Sequence, residues 1–198
     1  MSQSEHKSKY NRPMSDDEMQ QLLKTGIMLL AGAFVFMGVV TLLVHFETVA
    51  LYPSSMNVDM LRGFAGRAEY ALRYQSLLVA WLVFNVFATI GGRYQFKAFN
   101  PLDETKEDKV QMHKNILTNS FEQITISVFA QLILVSFATP EAILKYIPLI
   151  NMLQFIGRIA FFFGYPYKRS FGFSTTAMPN VVMVTYIIYK FITFQFNL

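Results

Sequence analysis

A carboxylate, a guanidinium and several carboxamides stand inside stretches that otherwise consist of Leu, Ile, Val, Phe and Met. In the run NMLQFIGRIAFFFGY, helical periodicity brings Asn151, Gln154, Arg158 and Tyr165 within a sector of about 60°. A second ridge, Asn115, Asn119 and Glu122, has the i, i+4, i+7 spacing of one helix face. An ionisable group inside a membrane helix costs about 2.5–3.5 kcal/mol on insertion scales, so each one asks for a partner. Glu122 and Arg158 are the natural ion pair, since each lacks another deep counter-charge. Arg158 is equally suited to anchor an anionic ligand between helices, because its fork of donors matches a carboxylate. Amides and an Arg–Glu pair also act purely as glue between membrane helices. The pattern fits both uses.

The remaining polar groups read more plainly. Tyr165, in the sequence Gly164-Tyr165-Pro166-Tyr167, also suits an interfacial aromatic anchor. His45 and His113 fall at a span end and in a loop, where interfacial placement fits better than metal ligation. Asn85 and Gln131 are isolated and are expected to bond to adjacent helices. Cysteine is absent, which excludes disulfides, thiol catalysis by the chain and thiolate metal sites. No metal site is expected. Phosphate-loop, dinucleotide, zinc-hydrolase and serine-hydrolase motifs are all missing.

The elements that must position these groups are membrane helices. Of the 198 residues 53% are hydrophobic and 15% charged, against about 25% charged in a soluble domain. A helix needs about 20 apolar residues to cross the hydrocarbon layer. Five stretches qualify: 26–45, 75–92, 123–140, 142 to about 165, and 177 to about 194. The first follows a polar tail, residues 1–24, and starts too late and runs too long for a cleaved signal peptide. Gly32, Gly38, Ala31 and Ala33 give it a flat surface for a neighbouring helix. Thr139-Pro140 breaks the third from the fourth, Lys145 can snorkel to an interface, and Pro179 suits the first turn of the fifth. The segment from Asn100 to Lys114 is mixed in charge and reads as a solvated loop.

The loops set an orientation. Lys7, Lys9, Arg12, Lys24, Arg93, Lys97, Lys106, Lys109, Lys114, Lys168 and Arg169 fall on one side; Arg62, Arg67, Arg73, Lys145 and Lys190 fall on the other. That asymmetry favours a cytosolic N-terminus and a luminal or extracellular C-terminus. The bases sit in loops rather than along one aromatic-interleaved stripe, so the expected partner is membrane lipid and not nucleic acid.

The last four spans resemble the MAPEG superfamily, the membrane-associated proteins in eicosanoid and glutathione metabolism. The features that carry the likeness are Asn119-Ser120-Phe121-Glu122 opening one span, Gly157-Arg158 followed by Tyr165, and AFNPLDE after Gly91-Gly92-Arg93. The likeness covers about residues 75–195. It implies an all-α membrane protein: a MAPEG-like four-helix domain over residues 72–198, preceded by one extra transmembrane helix at 25–46. The extra span, with RSFGFSTT from Arg169 to Thr176, looks closest to the mattrin-like branch. The family implies a homotrimer and, in members that bind it, glutathione held between neighbouring subunits at the cytosolic side. Carried over by position, Asn119 and Glu122 would contact glutathione, Arg158 would brace the site or stabilise the thiolate, and Tyr165 would hydrogen-bond the tripeptide or its thiol. The chain departs from the enzymatic pattern twice. Asn115 stands where enzymatic members commonly carry arginine, and Gly172 to Ser174 occupy the interval of their second arginine. Arg169 is a tentative substitute in the catalytic set with Arg158 and Tyr165.

Two functions follow from this likeness. One is a mattrin-type endomembrane protein of the endoplasmic reticulum, Golgi or lysosome-related compartments, acting through membrane-protein partners or trafficking with a vestigial glutathione-type site. The other is a glutathione-dependent transferase or peroxidase acting on lipophilic substrates from the bilayer. A small transporter fits less well, because no pair of broken helices is present.

Overall fold

Ser15 caps α1 (Asp16–His45): its hydroxyl accepts from the Glu18 amide, and the Glu18 carboxylate accepts in return from the Ser15 amide. Three acidic residues in the first turn, Asp16, Asp17 and Glu18, suit the positive end of the helix dipole. The helix therefore starts ten residues ahead of its apolar run and takes in part of the segment expected to be tail. The computed structural model describes residues 15–100 and 104–196; Lys7, Lys9 and Arg12 lie outside the described residues.

Four more long helices follow: α2 (Phe64–Phe96), α3 (Glu104–Phe137), α4 (Pro140–Gly164) and α5 (Ser170–Phe196). A single 3-10 turn, Val58–Leu61, precedes α2. All five are long and apolar enough to cross a membrane. No strand occurs among the described residues. Helices α2, α3, α5 and α4 form a closed ring of neighbours, and α1 packs outside it on α5 and α4. Many large apolar side chains, Phe87, Phe129, Phe163 and Phe194 among them, stay exposed on the outer faces. The composition is thus that of a bundle solvated by lipid. This is an all-helical, multi-pass integral membrane protein.

The breaker between α3 and α4 acts as expected. Thr139 caps α4 by accepting from the Ala142 amide at 3.3 Å, and Pro140 takes the first helical position. Across the bundle, Arg67 of α2 donates to the Ala138 carbonyl at 2.6 Å and satisfies the end of α3. Lys145, expected to snorkel to an interface, pairs with Glu47 at 2.5 Å. The hydrogen bond from Lys145 and its charge hold the Glu47 carboxyl below its ordinary pKa. Beside it, His45 and the Tyr146 hydroxyl approach to 2.8 Å, so the end of α1 is tied twice to α4.

Several expectations are corrected. Most of the segment read as a solvated loop is helix, because α3 begins at Glu104. Its Glu107 accepts from both terminal nitrogens of Arg93, at 3.0 and 2.8 Å, and from Lys114 at 2.8 Å. The mixed charge therefore joins α2 to α3. Pro179 lies inside α5 rather than in its first turn, since α5 starts at Ser170. Of the small residues expected to face a neighbouring helix, Ala33 joins Met37 and Val44 in the buried seam of α1, whereas a Cβ at Gly32 or Gly38 would meet nothing within 4 Å. Asn85 donates to the Trp81 carbonyl of its own helix at 2.7 Å, not to a neighbour.

Pro148 inside α4 has no amide hydrogen to give the Leu144 carbonyl one turn earlier. The Tyr70 hydroxyl of α2 donates to that carbonyl at 3.1 Å and replaces the missing bond. Tyr70→Phe is expected to lower stability by about 1 kcal/mol, the usual net value of one hydrogen bond. Denaturation of the two proteins in mixed micelles would read it, and an unchanged midpoint would mean that the carbonyl finds another donor.

Candidate functional site

The middle of α3 presents Asn115, Asn119 and Glu122 to one cavity, as the spacing predicts, with Thr118 beside them. At the same end of the bundle α4 stops at Gly164, and Tyr165 follows as its C-cap, its amide held by the Phe161 carbonyl at 3.0 Å. Arg169 comes just before α5, with its guanidinium 5.6 Å from the centre of the Tyr165 ring. These residues border a cavity of about 980 Å³, at the upper end of the range of about 300–1,000 Å³ for small-molecule sites. One wall is polar: Asn115, Asn119, Glu122, Tyr165 and Arg169. The facing wall is apolar and comes mainly from α1, where Leu22, Leu23, Ile27 and Leu30 line it.

Arg158 lies behind the polar wall. It is fully buried and is not among the residues that line the cavity. One terminal nitrogen donates to Asn119 Oδ1 at 2.8 Å, and the other donates to the Thr176 hydroxyl. Its Cζ stands 4.8 Å from the centre of the Phe161 ring, a cation–π contact. The expected Arg158–Glu122 ion pair does not form within the chain. Glu122 is exposed at the cavity, and Asn119 stands between the two as Arg158's acceptor. The fork geometry of a guanidinium allowed two neutral oxygens from α3 and α5 to take the place of one carboxylate. Arg158 reaches the cavity through Asn119, which it holds at 2.8 Å, rather than by lining it.

The partners of the amides fix which atoms face the cavity. With Asn119 Oδ1 occupied by Arg158, the Asn119 amide nitrogen is the end left to donate. Asn115 Nδ2 donates to the Tyr165 hydroxyl at 2.9 Å, while Asn115 Oδ1 accepts from Gln111 at 2.8 Å. The Tyr165 oxygen thus receives a hydrogen bond and keeps its own proton to donate. The wall offers donors from Asn119, Tyr165 and Arg169, and one acceptor carboxylate, Glu122. Such a set can bind a ligand bearing carboxylates and an ammonium group, and can hydrogen-bond a sulfur atom.

A second polar layer lies deeper. Gln154 donates to the Thr176 carbonyl at 2.9 Å and to Asn180 at 2.8 Å, and Asn180 donates to the Gln123 carbonyl at 2.9 Å. Asn151 donates to Gln131 at 2.7 Å, and Gln131 to Ser127 at 2.9 Å. The ridge Asn151, Gln154 and Arg158 is therefore interhelical glue, and its partners are on α3 and α5. Thr176 and Asn180 are the residues that sequence reasoning missed. Their i, i+4 spacing was a signal, hidden because Ser174-Thr175-Thr176 read as the approach to a span rather than its interior.

This chain is thus a multi-pass membrane protein with a cavity between its helices, polar on one side and apolar on the other. The sequence model of the MAPEG family matches residues 71–189, which take in α3, α4 and most of α2 and α5, and the chain belongs to that family. Helix α1, which supplies the apolar wall, falls outside the matched segment. No curated protein and no solved structure shows significant similarity to the chain.

Proposed function

We propose that this protein is a binding rather than a thiol-activating member of its family: a mattrin-type endomembrane protein that holds glutathione or a close analogue in the cavity and acts through membrane-protein partners. The observation that carries this reading is the state of the cations. Arg158 is fully buried with both terminal nitrogens engaged. Among the described residues lining the cavity, Arg169 is the one cation, and its guanidinium lies over the Tyr165 ring.

The donor set fits the tripeptide. Its carboxylates suit Arg169 and the Asn119 amide, its ammonium suits Glu122, and its thiol suits the Tyr165 hydroxyl. A thiol pKa is lowered most directly by a cation, a metal or a helix N-terminus beside the sulfur, and the positions matching the second arginine of enzymatic members supply no cation. Gly172 is packed into α4, while Phe173 and Ser174 reach the cavity without charge. The loop charges support a cavity that opens on the cytosolic side, where the reduced tripeptide is abundant, and family membership supports assembly as a homotrimer in the membrane. The transferase or peroxidase reading is the second one. Arg169 favours it, since its guanidinium lines the same cavity as the Tyr165 hydroxyl.

Calorimetry on the purified protein in lipid nanodiscs, with a conjugation assay on a generic aromatic electrophile, separates the readings. Saturable binding of millimolar or tighter affinity without conjugation is expected. Glu122→Gln should weaken it about tenfold, the worth of one charged hydrogen bond at about 1.5 kcal/mol. Catalysed conjugation by the unaltered protein would favour the enzyme instead, and absent binding would remove glutathione from the account. Phe173→Arg sets a guanidinium on the cavity wall and is expected to raise conjugation at least tenfold over the uncatalysed background. No gain would show that cation placement is not what withholds activity.

A further inference from the structure

At the end of the bundle opposite the first cavity, the segment between α1 and α2 folds back over α2 as a strap. The Tyr74 hydroxyl donates to the Leu51 carbonyl of this strap at 3.2 Å. Further along, Gly66 lets the strap lie close to the helix, since a Cβ there would stand 2.1 Å from the Met60 carbonyl oxygen. Between these two ties the strap and α2 enclose a second cavity, of about 350 Å³. Met56 and Met60 line it from the strap, and Glu69, Tyr70, Arg73 and Tyr74 line it from α2. Both tyrosines have committed their hydroxyl protons, Tyr70 to the Leu144 carbonyl at 3.1 Å and Tyr74 to Leu51. Their rings meet edge to face with centres 5.0 Å apart, so ring surface is what they offer a ligand. Glu69 and Arg73 pair with each other across one helical turn, but both are exposed. Such a pair is worth little and exchanges readily for a ligand. Both residues precede the apolar run 75–92, which puts the mouth of the cavity at headgroup depth rather than in hydrocarbon.

A carboxylate, a guanidinium one turn away, two ring surfaces and two thioethers select for a zwitterion. Ring faces attract a cation, and thioethers pack against methyl groups. Neither accepts a hydrogen bond well, so they favour a methylated ammonium over a primary one, which would leave some of its three donors unpaired. The i, i+4 spacing sets Glu69 and Arg73 about 5–6 Å apart at Cβ, a span suited to a cation and an anion joined by two carbons. We propose that this second cavity is a phosphocholine site. The trimethylammonium group sits against the Tyr70 and Tyr74 rings and the Met56 and Met60 thioethers, beside the Glu69 carboxylate. The phosphate takes Arg73, whose guanidinium donates to two of its oxygens. Binding exchanges one intrahelical ion pair for two intermolecular ones, so no charge is stranded. A choline phospholipid of that leaflet and water-soluble glycerophosphocholine present the same group. All the walls come from one chain, and the inference is independent of any ligand in the first cavity.

The test uses the full chain in nanodiscs of phosphatidylglycerol, which carries no choline, titrated with glycerophosphocholine and read by saturation-transfer NMR on the trimethyl signal. Saturable transfer of millimolar or tighter affinity is expected, and glycerophosphoethanolamine should bind at least fivefold more weakly. Glu69→Gln, at an exposed position, should weaken glycerophosphocholine at least fivefold relative to glycerol 3-phosphate, which has no cation. Tyr74→Leu removes a ring and should weaken it at least fivefold as well; should that variant lose its monodisperse profile, Glu69→Gln carries the test alone. Glu122→Gln, at the other end of the bundle, should leave this binding unchanged, so the failure of the glutathione reading and of this one are distinguishable. Repeating the titration in phosphatidylcholine nanodiscs identifies the source, and either result supports the phosphocholine assignment. Loss of apparent affinity there points to the lipid headgroup, and an unchanged value points to the soluble ester. Absence of saturable transfer in phosphatidylglycerol, or equal affinity for the choline and ethanolamine esters with no response to Glu69→Gln, would overturn the proposal. Because the chain lacks cysteine, Met60→Cys adds a second readout. A disulfide to another copy of this chain on oxidation, not suppressed by glycerophosphocholine, would assign the cavity to a subunit contact and overturn it equally.

Discussion

Arg158→Ala is expected to be among the most damaging single substitutions in this protein, lowering stability by about 3–5 kcal/mol. Two hydrogen bonds from a charged donor are lost, each worth about 1.5–3 kcal/mol, and the void left in the fully buried layer adds to the loss. The released groups are Asn119 on α3 and the Thr176 hydroxyl on α5, so one truncation loosens three helices together. Thr176 recovers part of its bonding through the Gly172 and Phe173 carbonyls of its own helix, at 3.1 and 2.9 Å. Asn119 has no such reserve and is free to rotate. Ligand affinity should therefore fall about tenfold although Arg158 does not line the cavity, because the Asn119 amide no longer points a fixed donor into it. Arg158→Lys keeps the charge but not the fork and should recover less than half of the loss. Denaturation in mixed micelles and calorimetry in nanodiscs read the two effects. A stable Arg158→Ala protein with unchanged affinity would refute both the bracing role and the orientation assigned to Asn119.

The second large effect is expected at Gly172. A methyl group there would lie 2.2 Å from the Phe161 nitrogen and 2.5 Å from the Gly157 carbonyl oxygen, both backbone atoms of α4 that cannot turn aside. Helices α4 and α5 would have to part. The cost is expected at about 3 kcal/mol, the upper end of ordinary overpacking. Thr176 stands one turn along α5, so the Arg158–Thr176 bond is strained by the same separation, and Gly172→Ala should lower ligand affinity as well as stability. Gly32→Ala is the internal control. Its Cβ would meet nothing within 4 Å, and alanine is favoured over glycine inside a helix by about 1 kcal/mol. That variant should be neutral or slightly stabilising on the same assay. Equal midpoints for the two variants would mean that α4 and α5 do not cross as closely as 2.2 Å from Cβ to backbone requires.

Much of the fold was legible because membrane helices announce themselves. A run of about 20 apolar residues has few other uses, and Thr139-Pro140 marks a chain reversal by its backbone chemistry alone. Helix ends were less legible. Ser15 and Glu104 begin helices well outside the hydrocarbon-like runs, and hydropathy cannot see a helix that continues into polar sequence. Asn115, Asn119 and Glu122 share a face because periodicity within one helix is a local property, whatever the helix packs against. The same local rule aligned Asn151, Gln154 and Arg158.

What periodicity could not supply was the partner of each ridge. It offered Glu122 to Arg158 because only charge was visible, whereas the chain satisfies the guanidinium with Asn119 and Thr176. The residue types, their grouping on helix faces, the five spans and the likeness to a family were determined by the sequence alone, since each rests on neighbours within one helix or on a short motif. Only the tertiary structure decided that Arg158 lies behind the wall and Arg169 on it, that Tyr165 receives a hydrogen bond from Asn115, and that α1 forms the apolar side of the cavity. Those outcomes depend on distances between segments far apart in the chain, and such distances are set by how the helices pack as a whole.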